Sequence, residues 1–202
     1  MEDQRIIQLP ERRESSGMEL FDCVRARRSR RSFSSDSIAL QDLSDILFHT
    51  SGHTGPKLHL RAAPSAGGIH AITTIVVASG VKSLPPGVYI YSGLEHTLEL
   101  HMIGDARNSL AKACLDQRSV ETAPVSVVFA VSEDKVALRY GDKALRFAGL
   151  DIGHCGQNVY LVCEALGLAT CAVGAFKDDL VSKAIDLPTG QTPYYVFPIG
   201  RR

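Results

Sequence analysis

The chain has 202 residues, 45% hydrophobic and 22% charged, with Lys plus Arg equal to Asp plus Glu at 22 each. That length supports one domain with its own core, and the composition is ordinary for a globular protein. The balanced charge argues against a broad nucleic-acid surface, which needs an excess of cations.

The five cysteines are Cys23, Cys114, Cys155, Cys163 and Cys171. They are odd in number and show no CxxC spacing. With no secretory signal at the N-terminus, they read as reduced thiols in a cytoplasmic protein and argue against structural zinc. No stretch of about twenty apolar residues signals a membrane span.

Residues Met1 to Gly17 form a charged arm whose apolar run is Ile6, Ile7 and Leu9. The domain proper spans residues 18–202. Met18, Leu20, Phe21 and Val24 predict a short helix running into a basic cluster. The cluster, Arg25 to Arg31, places five arginines in seven positions. Planar guanidiniums bind phosphate in two-pronged fashion and serine adds a hydroxyl, so a phosphorylated small molecule is one reading. A solvated charge run or a nucleic-acid patch is the other.

Ser35 or Asp36 is placed to cap a helix from Leu40 to Phe48, with Leu43, Ile46 and Leu47 inward and Gly52 as the stop. His49 and His53 have the i, i+4 spacing of metal ligands. Gly52 and Thr54-Gly55-Pro56 end the helix before that spacing can be used, so both read as loop histidines and no metal is expected. Arg61 to His70 (RAAPSAGGIH) is a tight loop whose glycines permit close backbone approach to a ligand.

Ile72 to Ala78 is β-branched and predicts a buried strand. Val88–Tyr91 and Thr97–His101 alternate as half-exposed strands after the turn at Leu84 to Gly87. Asp105 to Leu115 predicts a helix, and Val125 to Val131 (VSVVFAV) a strand buried on both faces. Tyr140 to Ala169 reads as one long helix, with Asp142 near its start and Gly167 at its stop. Gly149, Gly153, Gly156, Tyr160 and Cys163 share one stripe of it. Three interior glycines cost about 3 kcal/mol against alanine, so another backbone, a partner helix or a planar ligand must come close. Cys171 to Phe176 predicts a strand, Asp178 to Ile185 a helix and Tyr194 to Ile199 the last strand. These elements make one α+β domain with a mixed sheet.

Dinucleotide, P-loop, nucleophile-elbow and HExxH motifs are all absent. Hard chemistry, if present, is lent by a cofactor, and a phosphate-bearing one would give the arginines a purpose.

Four stretches in order are RRSRRSF (27–33), PSAGG (64–68), the helix YGDKALRFAGLDIGHCGQNVYLVCEALGL (140–168) and CAVGAF…YYVFPIG. Together they resemble the FMN-dependent nitroreductase superfamily over about residues 20 to 200, and within it the SagB-type dehydrogenase branch, which includes azoline oxidases. The resemblance implies a mainly antiparallel sheet flanked by helices in an intertwined homodimer, with FMN at the interface. It implies that Arg27, Ser29 and Arg31, with Arg28 adjacent, hold the flavin phosphate and ribityl chain. The loop Pro64, Ser65, Ala66 and Gly67 would come from the partner subunit. Gly174 and Ala175 would follow the central helix at the flavin, and Arg201 or Arg202 would complete the phosphate site.

The implied activity is hydride transfer through FMN from NAD(P)H or an organic substrate to an acceptor. A non-catalytic flavin-binding or partner module is the alternative. Arg139, Tyr140 and His70 are the polar candidates beside the substrate. The sequence departs from the SagB pattern after the loop: it reads PSAGGIHA, with no Tyr-Pro and with His70 near that place.

Overall fold

The structure, a computed structural model, describes residues 5–55 and 60–202. In chain order the elements begin with strand β1 (Ile6–Gln8) and helices α1 (Leu20–Ala26) and α2 (Leu40–Ser51). A single 3-10 turn (Ala66–Gly68) precedes strands β2 (Ile72–Ala78), β3 (Gly87–Ser92) and β4 (Thr97–Ile103). Helices α3 (Arg107–Ala113) and α4 (Arg118–Thr122) lead into β5 (Val125–Val131). Then come α5 (Glu133–Tyr140), a 3-10 turn (Gly141–Lys143), α6 (Ala144–Ala165), β6 (Leu168–Thr170), α7 (Asp178–Ala184) and β7 (Thr192–Arg201).

The seven strands form one sheet in the order β1-β4-β3-β2-β5-β7-β6. Every pairing between them is antiparallel. Among the described residues the one parallel pairing is the isolated bridge Ile38–Val81. The α+β, mainly antiparallel expectation therefore stands.

The core has two layers, one on each sheet face. Val125, Val127 and Phe129 of β5 join Leu43, Ile46, Ile152 and Val159 of α2 and α6. Val128 and Ala130 of the same strand point the other way, to Leu110, Val120 and Val181 of α3, α4 and α7. Alternate side chains of a strand face opposite sides, so a central strand covered on both reads as a continuous apolar run.

The helix expected from Tyr140 to Ala169 is broken near its start. Gly141 has φ 51° and ψ −130°, a conformation that ends α5 and turns the chain into α6. Asp142 lies in that turn, and Gly167, with φ 69°, marks the stop as expected. The 22 residues of α6 span about 33 Å.

The strand expected at Cys171–Phe176 instead falls earlier, at Leu168–Thr170, pairing with the C-terminal end of β7. The Ala172 amide donates to the Tyr160 hydroxyl at 2.7 Å rather than to a ladder, and only Val173 bridges to Val196. Neither Ser35 nor Asp36 caps α2, whose N-cap is Ala39. The N-terminal arm packs: β1 adds to the edge of β4, and Leu9 is buried.

The glycine stripe of α6 divides. A Cβ on Gly156 would lie 2.8 Å from the Phe197 ring, so that glycine serves the core. A Cβ on Gly149 or Gly153 would meet nothing within 4 Å. Their face, with Leu145 and Leu150 both more than half exposed, is left uncovered by the described residues.

Candidate functional site

Two segments singled out by sequence converge on α6, at different heights. The arginine segment follows α1 and lies against the C-terminal half of α6. The Arg27 guanidinium sits 5.2 Å from the centre of the Tyr160 ring. The Ser29 and Tyr160 hydroxyls are 2.8 Å apart, and either can donate. Arg28 turns back, donating to the Arg25 and Arg27 carbonyls at 3.1 and 2.7 Å. The Arg31 side chain is exposed and makes neither an ion pair nor a hydrogen bond with any described residue.

Beneath these arginines lies Glu164, its side chain 4% exposed. Arg30 pairs with it at 2.5 Å and Arg202 at 2.6 Å. Burial alone would raise this carboxyl's pKa, but the two guanidiniums outweigh it and hold the pKa below the usual range. Arg202 also donates through Nε to the Leu168 carbonyl. Arg201 donates to the Ser37 carbonyl at 3.2 Å and reaches Asp42 at 3.4 Å. Both C-terminal arginines thus lie near the segment but already hold partners within the chain. Gly174 and Ala175 are exposed on the loop after β6, and Gln117 donates to the Ala175 carbonyl.

The loop Pro64 to Gly67 meets the N-terminal half of α6. Asp151, 8% exposed, accepts the Ser65 hydroxyl at 2.7 Å and the Ala66 amide at 2.9 Å. Ser65 Oγ in turn accepts the His70 amide at 3.0 Å. The Ser65 hydroxyl is therefore spent on shaping the loop. Three left-handed residues follow, Gly67 at φ 59°, Gly68 at φ 66° and, after the right-handed Ile69, His70 at φ 50°. Only the first two carry no steric penalty there.

Arg139 donates to the Gly67 carbonyl at 3.0 Å, and a Cβ on Gly67 would stand 2.8 Å from both the Arg139 guanidinium and the Tyr140 hydroxyl. Arg139, Tyr140 and His70 therefore do gather at this loop. The Tyr140 ring lies on Phe147, their centres 4.1 Å apart.

Asp151, Tyr160 and Glu164 are the site residues that the sequence did not single out for chemistry. Asp151 and Glu164 are buried acids in an apolar helix, and that conflict is the signal that could have found them. On α6, Asp151 and Tyr160 are nine residues apart, roughly 13 Å along the axis. One chain thus holds the arginine segment and the loop well apart.

Among the described residues no cluster of His, Cys, Asp or Glu could hold a metal ion. His49 lies in α2 and His53 beyond its end. No described helix is long and apolar enough to cross a membrane.

Comparison with known proteins agrees with the architecture. The family model of the nitroreductase family matches residues 24–201. A Methanocaldococcus jannaschii protein named as a candidate nitroreductase is 32% identical over 100% of this chain and 99% of its own length. A crystal structure of a candidate nitroreductase from Ralstonia eutropha superimposes with a TM-score of 0.83 at 27% identity, covering 98% of this chain and 89% of that one. Another, from Anabaena variabilis, gives a TM-score of 0.83 at 24% identity, and here the chain spans only 41% of the other's length. The chain belongs to the nitroreductase family.

Proposed function

We propose that the chain is an FMN-dependent oxidoreductase that works as a homodimer and passes a hydride from NAD(P)H or an organic donor to an acceptor. The observation that carries this reading is the separation along α6. The arginine segment and the Pro64–Gly67 loop lie against one helix but roughly 13 Å apart, each with exposed residues. A second copy packed on the uncovered Gly149–Gly153 face would bring its loop to the first copy's arginines. Close helix approach over those glycines would offset their cost in helix propensity.

In this reading Arg27, Arg28, Ser29 and Arg31 hold the phosphate and ribityl chain. Arg31, which pairs with no described residue, takes the largest share. Arg201 and Arg202 act by bracing, fixing Asp42 and Glu164 so that the segment keeps its shape. Pro64, Ala66 and Gly67 of the partner copy line the ring with backbone, and Gly174 and Ala175 flank it. Bound FMN supplies the ring that accepts and gives up the hydride. Arg139, Tyr140 and His70 orient the reacting molecule and offer polar atoms to its developing charge. Within the family the proposal places the chain beside the SagB-type dehydrogenases, on the strength of its PSAGG loop.

The test is to purify the protein without added flavin and record its visible spectrum. A yellow protein releasing about one FMN per subunit, and oxidising NADPH with a nitroaromatic or quinone acceptor, is the expected result. A colourless protein that also refuses added FMN overturns the proposal.

A further inference from the structure

Arg61 is a charge with no acidic partner among the described residues. Its backbone is fixed between α2 and the loop, by a bridge to His53 and by the Ala62 amide donating to the Gly52 carbonyl at 3.0 Å. Its guanidinium lines a cleft with Pro64, Ser65, His70 and Cys155. Its Nε is shut off from solvent and has no hydrogen-bond partner. No described aspartate or glutamate pairs with it. The carboxylate that holds the loop, Asp151 of α6, accepts from Ser65 and Ala66.

Two groups that act on Arg61, Cys155 and Tyr91, are neutral. Burial, and Asp151 after it, push the Cys155 thiol up to about 12. Burial likewise raises the Tyr91 hydroxyl, which bonds His96 at 2.9 Å. Burial also lowers the pKa of Arg61 itself, so the site disfavours its charge as it stands. A largely buried cation with no counter-charge among the described residues is costly unless an anion arrives from outside. The surrounding pattern is uneconomical for structure alone and suits a binding site.

We propose that Arg61 is an anion anchor that selects acceptors bearing a carboxylate, bound with that group toward the cleft beside Pro64 and Ser65. This rests on the flavin reading above and names its substrate class. The free volume of the cleft is about 20 Å³, room for one water-sized group such as a carboxylate oxygen, with the rest of the ligand outside. A guanidinium recognises a planar carboxylate with two parallel hydrogen bonds, and lysine cannot reproduce that fork. The acceptor's carboxylate is not consumed; it orients the molecule, and the reducible group stays outside the cleft at the loop surface.

The experiment uses the FMN-loaded protein with saturating NADPH and two matched acceptors, 4-nitrobenzoate and the neutral 4-nitrobenzamide. The wild-type protein is expected to favour the carboxylate at least tenfold in kcat/KM. Arg61→Met is expected to abolish that preference through KM, and Arg61→Lys to keep part of it. Redox-inert benzoate should compete with 4-nitrobenzamide in the wild-type protein, while benzamide should not, a readout that needs no variant to fold. Equal use of both acceptors by the wild-type protein overturns the proposal, as does an Arg61→Met protein that keeps the preference. A protein without FMN removes the flavin reading and this one together, and is recognised before any acceptor is added.

Discussion

The two ends of α6 are held by different physics. At the C-terminal end, Glu164 is a buried carboxylate clamped between two arginines from distant parts of the chain, Arg30 and Arg202. At the N-terminal end, Asp151 is an equally buried carboxylate with no cation, satisfied by one hydroxyl and one amide of a neighbouring loop. The first arrangement ties the C-terminus to the segment after α1 and so belongs to the fold. The second ties down a loop of seven residues and so belongs to the site. Breaking each should therefore cost in a different currency, global stability at one end and ligand affinity at the other.

The largest effect is expected from Glu164→Ala. It leaves two guanidiniums facing each other over an emptied site. Removing one partner of a buried pair costs about 3–5 kcal/mol, and the partial exposure of Arg30 and Arg202 places this case near the lower end. In a domain of this size that is a fall in Tm of roughly 6–12 °C. The pH dependence has a definite sign. The folded pKa of Glu164 lies below its unfolded value, so its contribution is present above the ordinary carboxylate range. It is lost as pH falls through the folded value. Glu164→Gln should flatten that acid limb of the Tm–pH curve; an unchanged limb would mean that other carboxylates govern it.

Asp151→Ala should come next, at about 2 kcal/mol, because it orphans the Ala66 amide and the Ser65 hydroxyl. Its main effect is local. Hydrogen exchange of the residue 64–70 amides should quicken, and the FMN Kd should rise about tenfold. If Asp151→Ala matched Glu164→Ala in Tm while leaving FMN affinity unchanged, the contrast between the two ends would fail.

Gly67→Ala probes the same loop more gently. Its φ of 59° carries a left-handed penalty of about 1–2 kcal/mol for alanine. The new Cβ meets only Arg139 and Tyr140 side-chain ends, and exposed Arg139 can swing away. A Tm loss of roughly 2–8 °C, with a several-fold loss of FMN affinity, is expected. A loss beyond that of Asp151→Ala would mean that the loop's shape depends on its glycine more than on its carboxylate.

Much of this was legible in the sequence, for reasons that differ by element. β5 could be read directly because both of its faces are buried, so VSVVFAV admits no other environment. The Pro64–Gly68 loop announced itself through residues that only a special backbone needs. α5 was not read because it buries Val136 alone and exposes Leu138 to 90%, which leaves no apolar period to detect. β6 was misplaced by a few residues because its neighbours are equally apolar, and a tyrosine hydroxyl from α6 decides where the ladder stops. At the site, the exposed arginines were visible as a charge cluster. Their buried counterpart Glu164 is a single letter in an apolar helix, 134 residues from Arg30, and only the fold shows that the two meet.

The smallest effect on stability, and the sharpest test of the comparison, belongs to Arg31→Ala. Arg31 sits one residue from the clamped Arg30 but is exposed and pairs with no described residue. Surface substitutions of that kind stay within about 0.5 kcal/mol, so Tm should hold. A charge-assisted contact to phosphate is worth about 1.5–3 kcal/mol, so the FMN Kd should rise roughly ten- to a hundredfold and lose salt sensitivity. Riboflavin, which lacks the phosphate, should bind the wild-type and Arg31→Ala proteins alike. If riboflavin binding fell in parallel, Arg31 would be shaping the ring site rather than the phosphate site. Adjacent arginines would then divide by which part of the flavin they serve, and the split between fold and ligand would not describe them.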